Sequence, residues 1–167
     1  MNIDVNESLE GYVMNSTPIP TSSIPIVDPC VSLSSLSYSD SELIIPMNTC
    51  NNENLTIFDM SAFKNLRFIE ISDKNFYYVT SFRIIGLPHL YDIMIGMDSF
   101  NGGFPQADYS FVIAHCPLLT SIQIGMNSFL HYGNEFTIQG CPLLKDLLLE
   151  GFNFQHSQLV LNRMIIG

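Results

Sequence analysis

The chain repeats one pattern of hydrophobic and polar positions, and this repeat predicts the fold. Residues 81–100, 110–129 and 135–154 each read F-x-I-x-x-x-P-x-L-x-x-[IL]-x-[IL]-x-x-x-x-F. Weaker copies occupy 58–76 and 43–50. Self-similarity of this kind indicates a repeat architecture, in which each repeat is one structural unit stacked on the next.

The alternation inside each repeat predicts strands. In the segment I-x-I the two isoleucines, for example Ile93 and Ile95, point to the same side. Stacking the repeats about 4.8 Å apart joins these apolar sides into one core and makes the strands parallel. The F-x-I segments predict a second, shorter strand in each coil. No window has a helical period, so we expect a mainly β, right-handed solenoid of about five coils with little helix.

The second half of each repeat resembles the leucine-rich-repeat signature L-x-x-L-x-L-x-x-N/C-x-L. The best copy is Leu119, Ile122, Ile124, Asn127 and Phe129. These halves begin at positions 40, 66, 90, 119 and 144. The closing aromatic residue and the S-F and C-P-L-L pairs resemble the BspA-like surface repeats within that family. The position of the signature asparagine holds Asn48, Lys74, Asp98, Asn127 and Phe152, so we do not expect a continuous asparagine ladder.

The two ends of the chain differ from the repeats. Residues 1–41 contain ten serines, four prolines and no basic residue, which predicts an acidic, partly flexible leader. Residues 42–167 are predicted to form the solenoid, with an incomplete last coil because a sixth repeat has only begun at Leu159 and Leu161. An uncapped coil favours end-to-end association, since solenoids normally need a polar terminal cap.

The composition of the chain excludes some classes of binding partner but says little about its cellular compartment. The chain carries 16 acidic and six basic residues, a net charge of −10, and its bases are scattered. This argues against binding to nucleic acid or to an anionic membrane surface. We find neither a signal peptide nor a membrane-spanning segment, so the sequence reads as cytoplasmic, or as cell-surface if it is part of a longer array.

From the sequence alone, the cysteines and the glycosylation triplets do not predict disulfide bonds or glycans. Four cysteines at 30, 50, 116 and 141 are too few and too far apart to predict a disulfide framework. Cys116 and Cys141 occupy the same repeat position, and we expect buried thiols there rather than a bond. Asn6, Asn15 and Asn54 begin N-x-S/T triplets, which also recur by chance.

The resemblance implies that the outward positions of the main strands form a concave binding surface, which we call the partner face. Exposed aromatic, Met and Leu side chains among mixed charges are typical of a protein interface. Scattered apolar side chains are also ordinary on surfaces, and the N-terminal leader is an alternative occupant. The partner face comprises Arg67, Phe68, Glu70, Tyr91, Asp92, Met94, Thr120, Ser121, Gln123, Lys145, Asp146 and Leu148.

Catalysis is the less favoured hypothesis for the function. No metal-binding or nucleotide-binding motif occurs, the histidines fall at unrelated repeat positions, and we predict no cofactor. Asp92 and Asp146 lie two coils apart, near the separation of carboxylates in inverting glycosidases. A polysaccharide-active parallel β-helix therefore stays an alternative, as does a purely structural piece of a longer surface or adhesion array. We favour a non-enzymatic, protein-binding module.

Overall fold

A computed structural model describes residues 30–104, 107–132 and 135–151. This part of the chain is a mainly β solenoid with almost no helix, as the repeat predicts, and it has about four turns where about five coils are predicted for the whole chain. Its elements, in chain order, are α1 (Val31–Ser34), β1 (Glu42–Ile45), β2 (Ile57–Asp59), β3 (Phe68–Ile71), β4 (Ser81–Ile85), β5 (Asp92–Ile95), β6 (Ser110–Ala114), β7 (Ser121–Ile124), β8 (Glu135–Gln139) and β9 (Asp146–Leu149).

The strands form two parallel sheets, one from each half of the repeat. The five-stranded sheet has the order β1-β3-β5-β7-β9, and the four-stranded sheet has the order β2-β4-β6-β8. Strand pairing follows the sequence repeat residue by residue: Ile69 pairs with Ile93, and Ile93 with Ile122. The predicted register is therefore confirmed, while the right-handed sense of the coil stays a prediction.

The core lies between the two sheets. The inward isoleucines of the five-stranded sheet are buried, with Ile95 and Ile124 exposed by only 4% and 1%. Opposite them, Phe58, Phe82 and Phe111 stack with ring centroids 5.2 and 4.9 Å apart. Each coil thus contributes side chains to one continuous apolar interior, which is where its stabilisation comes from.

A second aromatic column closes each coil. Phe76, Phe100 and Phe129 stack at 4.9 and 4.5 Å between centroids, and all three are fully buried. Each of these phenylalanines has a positive φ, between 55 and 58°. A non-glycine residue adopts that conformation only where surrounding packing compensates for it. The aromatic stack supplies that packing at the turn.

A buried polar ladder runs beside this column, one residue after the position where the signature places asparagine. The Asn75 side-chain oxygen accepts hydrogen bonds from the Thr49 and Cys50 amides at 2.9 and 3.1 Å. The Asn75 amide donates to Ser99 Oγ, and the Ser99 amide donates to Ser128 Oγ. The signature positions themselves, such as Asn48 and Lys74, are surface turn residues with positive φ. The buried polar ladder therefore consists of Asn75 followed by Ser99 and Ser128 in the next two coils.

A disulfide between Cys30 and Cys50 covers the first coil, which the sequence did not predict. The Cα atoms of the two cysteines are 4.6 Å apart, and both residues are buried. Cys50 occupies the position that Phe76 fills in the next coil, so the bond continues the closing column. Leu33 and Leu36 of the same segment pack against the core. Residues 30–40 therefore cap the first coil, whereas residues 1–29 of the predicted leader lie outside the described residues.

The last described coil is less covered than the others. In β9, Leu147 is partly buried, but Leu149 is 39% exposed although it occupies an inward position. Among the described residues β9 pairs only with β7. The predicted sixth repeat at Leu159 and Leu161 lies outside the described residues, so end-to-end association stays a prediction.

Candidate functional site

The twelve partner-face residues fall on three rows that cross the five-stranded sheet. Strand pairing aligns two rows, and backbone hydrogen bonds of 2.9 to 3.0 Å between successive coils align the third. The rows are Glu70, Met94, Gln123, Leu148; then Phe68, Asp92, Ser121, Asp146; and then Arg67, Tyr91, Thr120, Lys145.

All twelve side chains are at least partly open to solvent. Tyr91 is 45% exposed, Met94 is 38% exposed and Leu148 is 50% exposed. The opposite side of the same strands is the core, so neighbouring coils hold these outward side chains at fixed spacing. The structure thus brings the predicted residues together on one surface; their role in binding stays a prediction.

A groove of about 450 Å³ runs along this surface. It contains the row from Glu70 to Leu148 and extends past the C-terminal ends of the strands. The added lining residues include Met47, Asp73, Met97 and Glu150, which sequence reasoning missed. The missed signal is the repeated tripeptide Ile-Gly-Met at 95–97 and 124–126.

Glycine makes the floor of this groove possible. A Cβ atom on Gly96 would lie 2.6 Å from the Asp73 amide nitrogen, and one on Gly125 would lie 2.8 Å from the Gly96 carbonyl carbon. Such distances are too short for a real side chain, so neighbouring backbones approach closely only without one. Met97 and Met126, which directly follow these glycines, are both exposed.

The charges on the partner face are mostly negative. Glu70, Asp92 and Asp146 belong to it, and Asp73 and Glu150 line the adjoining groove. The only bases among the twelve are Arg67 and Lys145. The Asp73 carboxylate accepts the Met97 amide at 2.8 Å, which fixes it beside the groove. The surface therefore combines apolar side chains with an excess of acids.

Aromatic rings lie at one end of the partner face. Phe68 and Tyr91 stack with centroids 6.4 Å apart and 22° between their planes. Next to Tyr91, the Asp92 Oδ1 atom is buried and has no hydrogen-bond partner among the described residues. Buried acceptors normally have a donor, so this oxygen is an exception within the described structure.

A second, more polar groove of about 400 Å³ lies on the side of the coils where the turns with positive φ follow the main strands. Its lining residues are Asn48, Asn51, Lys74, Tyr77, Tyr78, Asp98 and Asn101. Asn51 is already occupied, because its side chain bonds Asn48, the Lys74 carbonyl and the Tyr77 amide.

The residues considered for catalysis lie at two separate positions in the coil. Asp92 and Asp146 lie in one row with Ser121 between them. His115 is exposed while Cys116 is fully buried, so these neighbours do not form a nucleophile–base pair. No cluster of three or more metal-ligating side chains occurs within the described ranges.

Cys116 and Cys141 are the two free thiols, and both are buried. Their contact is a hydrogen bond that lowers the pKa of Cys141 and raises that of Cys116, whose burial raises it further. The two cysteines are not bonded to each other in the structure, and neither lies on the partner face.

Within the ranges that the structure covers, no helix has the length and apolar character needed to cross a bilayer. No protein-family model, no curated protein and no solved structure matches the chain. The resemblance to leucine-rich repeats thus rests on the repeat pattern itself.

Proposed function

We propose that the chain is a protein-binding module of the leucine-rich-repeat type, with the partner face as its binding surface. The observation that carries the proposal is the aligned row of Glu70, Met94, Gln123 and Leu148, in which the half-exposed apolar side chains of Met94 and Leu148 alternate with polar ones. Exposed Met and Leu side chains rimmed by polar groups are typical of interaction sites. A sheet braced by its own core binds with little loss of conformational freedom.

The chemistry of the surface favours one kind of partner. Methionines 47, 94 and 97 offer adaptable apolar contact along the groove. The surrounding acids and the net charge of −10 attract positive charge at a distance. We therefore propose a protein partner that presents an apolar ridge flanked by lysine and arginine.

Two features support the leucine-rich-repeat type over a polysaccharide-active β-helix. The first leucine of the signature is buried in successive coils, as at Leu66, Leu90 and Leu119. The described strands form two sheets rather than the three rows that we expect of a β-helix. The same resemblance is the basis of three further proposals. The chain is related to the BspA-like repeats, it lies at the cell surface, and it is part of a longer repeat array.

Site-specific crosslinking tests this proposal. A photoreactive amino acid at position 94 in the full chain is expected to crosslink a basic protein in the cells that make it. The same group at position 57 is the matched control, because Ile57 is 58% exposed on the outward side of β2 in the other sheet. Crosslinks of equal yield at both positions would overturn the assignment.

The affinity of the captured protein is then measured for variants that introduce positive charge on the partner face. Met94→Arg with Leu148→Arg is expected to weaken binding about 30-fold or more, since the loss of even one interface hot spot costs at least about 2 kcal/mol. Ile57→Arg is expected to leave binding unchanged. Undiminished binding by a folded Met94→Arg/Leu148→Arg chain would contradict the proposal.

A further inference from the structure

The disulfide at the first coil bears on where the protein matures. Cys30 and Cys50 are bonded and almost fully buried, at 2% and 1% exposure. Structural disulfides form and persist in oxidising compartments and are rare in a reducing cytosol. This bond favours an oxidising compartment over the cytoplasmic location that the sequence indicated.

Four residues after the bonded Cys50, an N-x-T triplet lies on an exposed turn. The Asn54 amide donates to Asn52 Oδ1 at 2.8 Å, and the Leu55 amide donates to the Asn52 carbonyl at 3.0 Å. Asn54 is exposed, and its side-chain amide makes no hydrogen bond to any described residue. An asparagine in an N-x-S/T triplet at the surface is a glycan acceptor when the middle residue is not proline.

The residues after Asn54 hold the triplet in place. Leu55 is partly buried and packs against the core. The Thr56 carbonyl accepts the Thr80 and Ser81 amides at 2.8 and 3.2 Å. The turn leaves the five-stranded sheet after Ile45 and enters the other sheet at Ile57, so Asn54 lies at the side of the coil and not on the partner face.

We propose that the protein matures in an oxidising secretory compartment and carries an N-linked glycan on Asn54. In this step the Asn54 side-chain nitrogen bonds to the anomeric carbon of an oligosaccharide carried on a lipid diphosphate. The carbon–oxygen bond to the lipid diphosphate breaks, the lipid diphosphate leaves, and the amide nitrogen loses one proton. The Cys30–Cys50 bond forms as the two thiols give up two protons and two electrons to a disulfide-carrying oxidase of the same compartment.

Peptide mapping of the protein purified from the cells that make it tests the proposal. Cleavage after Glu53 and Glu70 under non-reducing conditions is expected to release residues 54–70 bearing a hexosamine-based glycan. Treatment with a peptide N-glycosidase in heavy-oxygen water then leaves labelled aspartate at position 54. The same digest is expected to contain Cys30 and Cys50 as one crosslinked species. An unmodified Asn54 in the mature protein, or Cys30 and Cys50 as free thiols, would overturn the proposal.

A matched pair of variants separates glycosylation from folding. Thr56→Ser keeps the triplet and is expected to keep the glycan. Thr56→Val preserves the shape of the side chain but removes the hydroxyl, and it is expected to abolish the glycan at Asn54 while thermal unfolding of the deglycosylated proteins stays the same. Equal glycan occupancy of Asn54 in both variants would contradict the assignment. Neither result depends on the partner face, so the proposed function is tested separately.

Discussion

Phe100 and Phe129 stack with nearly parallel rings, with centroids 4.5 Å apart and 6° between their planes. Phe82 meets both rings edge-on, at 5.2 Å from each. Parallel stacking along the solenoid and edge-to-face contact across it are the two arrangements that aromatic quadrupoles favour. The aromatic interior therefore joins successive coils and also joins the two sheets within a coil.

The first prediction concerns this interior. Phe100→Ala removes a fully buried ring that touches neighbours above, below and beside it, so we expect a loss of about 3–5 kcal/mol in the free energy of unfolding. Chemical denaturation measures it. Leu118→Ala, at a residue that is 45% exposed, is the control and should change stability by about 0.5 kcal/mol or less. Similar losses in the two variants would refute the role of the stack.

The second prediction concerns the polar ladder. Asn75→Leu has nearly the same shape but leaves the buried amide of Cys50, and the partly buried Thr49 amide and Pro46 and Ser72 carbonyls, without their partner. Each unsatisfied buried group costs about 1–3 kcal/mol, so we expect a total loss of at least about 2 kcal/mol.

The matched control for the ladder is another asparagine. Asn65 also donates from its side chain, to the Tyr38 carbonyl at 2.8 Å, but the residue is exposed. Asn65→Ala is expected to cost less than about 1 kcal/mol, because water replaces the lost bond. Urea titration that ranks Asn65→Ala as the more destabilising change would show that the ladder is not a structural element.

The third prediction concerns the glycines at the strand ends. Gly96→Ala places a Cβ atom 2.6 Å from the Asp73 amide nitrogen, and the backbone must move to accept it. We expect a loss of about 1–3 kcal/mol from overpacking. Ser72 occupies the corresponding position one coil earlier and already carries a Cβ, so Ser72→Ala should be nearly neutral. Thermal unfolding distinguishes the two, and an unchanged melting temperature for Gly96→Ala would contradict the close approach.

The fourth prediction concerns alkaline pH. The Tyr132 hydroxyl donates to the Val79 carbonyl at 2.6 Å, and burial raises the pKa of this phenol well above its ordinary value. The unfolded chain therefore releases this proton near pH 10 while the folded chain keeps it. Above that pH the folded state should lose about 1.4 kcal/mol per pH unit through this group.

Tyr132→Phe removes this titration while preserving the ring. We expect the variant to be less stable than the wild type at neutral pH by about 1 kcal/mol, since the Val79 carbonyl loses its donor. Its stability should fall less steeply between pH 10 and 12, as measured by urea titration at each pH. Parallel pH profiles for the two proteins would show that Tyr132 ionises in the folded state.

The fold could be predicted from the sequence because one period determines both sheets. Aligning Ile93 with Ile122 by repeat position already gives the observed strand pairing. The Cys30–Cys50 bond escaped prediction because Cys30 belongs to no repeat, and only the folded cap brings it to the phenylalanine position of the first coil. The polar ladder escaped it because Asn75 and Ser99 differ in type while sharing one buried place.

The sequence predicts only those residues of the partner face and its groove that lie within or next to the strands, where side chains alternate between the two sides of the sheet. Strand periodicity identifies the outward residues Glu70 and Met94, and the structure places both as expected. It does not identify Met47 or Met97, because both residues follow the ends of strands, where the alternation stops. The identity of the partner depends on the chemistry of another molecule, which no pattern in this chain contains.

The central claim is that the partner face binds a protein, and oxidative footprinting of the crosslinked partner's complex tests it most directly. Hydroxyl radicals oxidise exposed methionine side chains, so Met94 and Met97 report on the groove. We predict that the partner reduces oxidation of both residues several-fold while Tyr38 and Leu118, which lie away from the groove, react as before. Unchanged oxidation of Met94 and Met97 in a saturated complex would contradict the account.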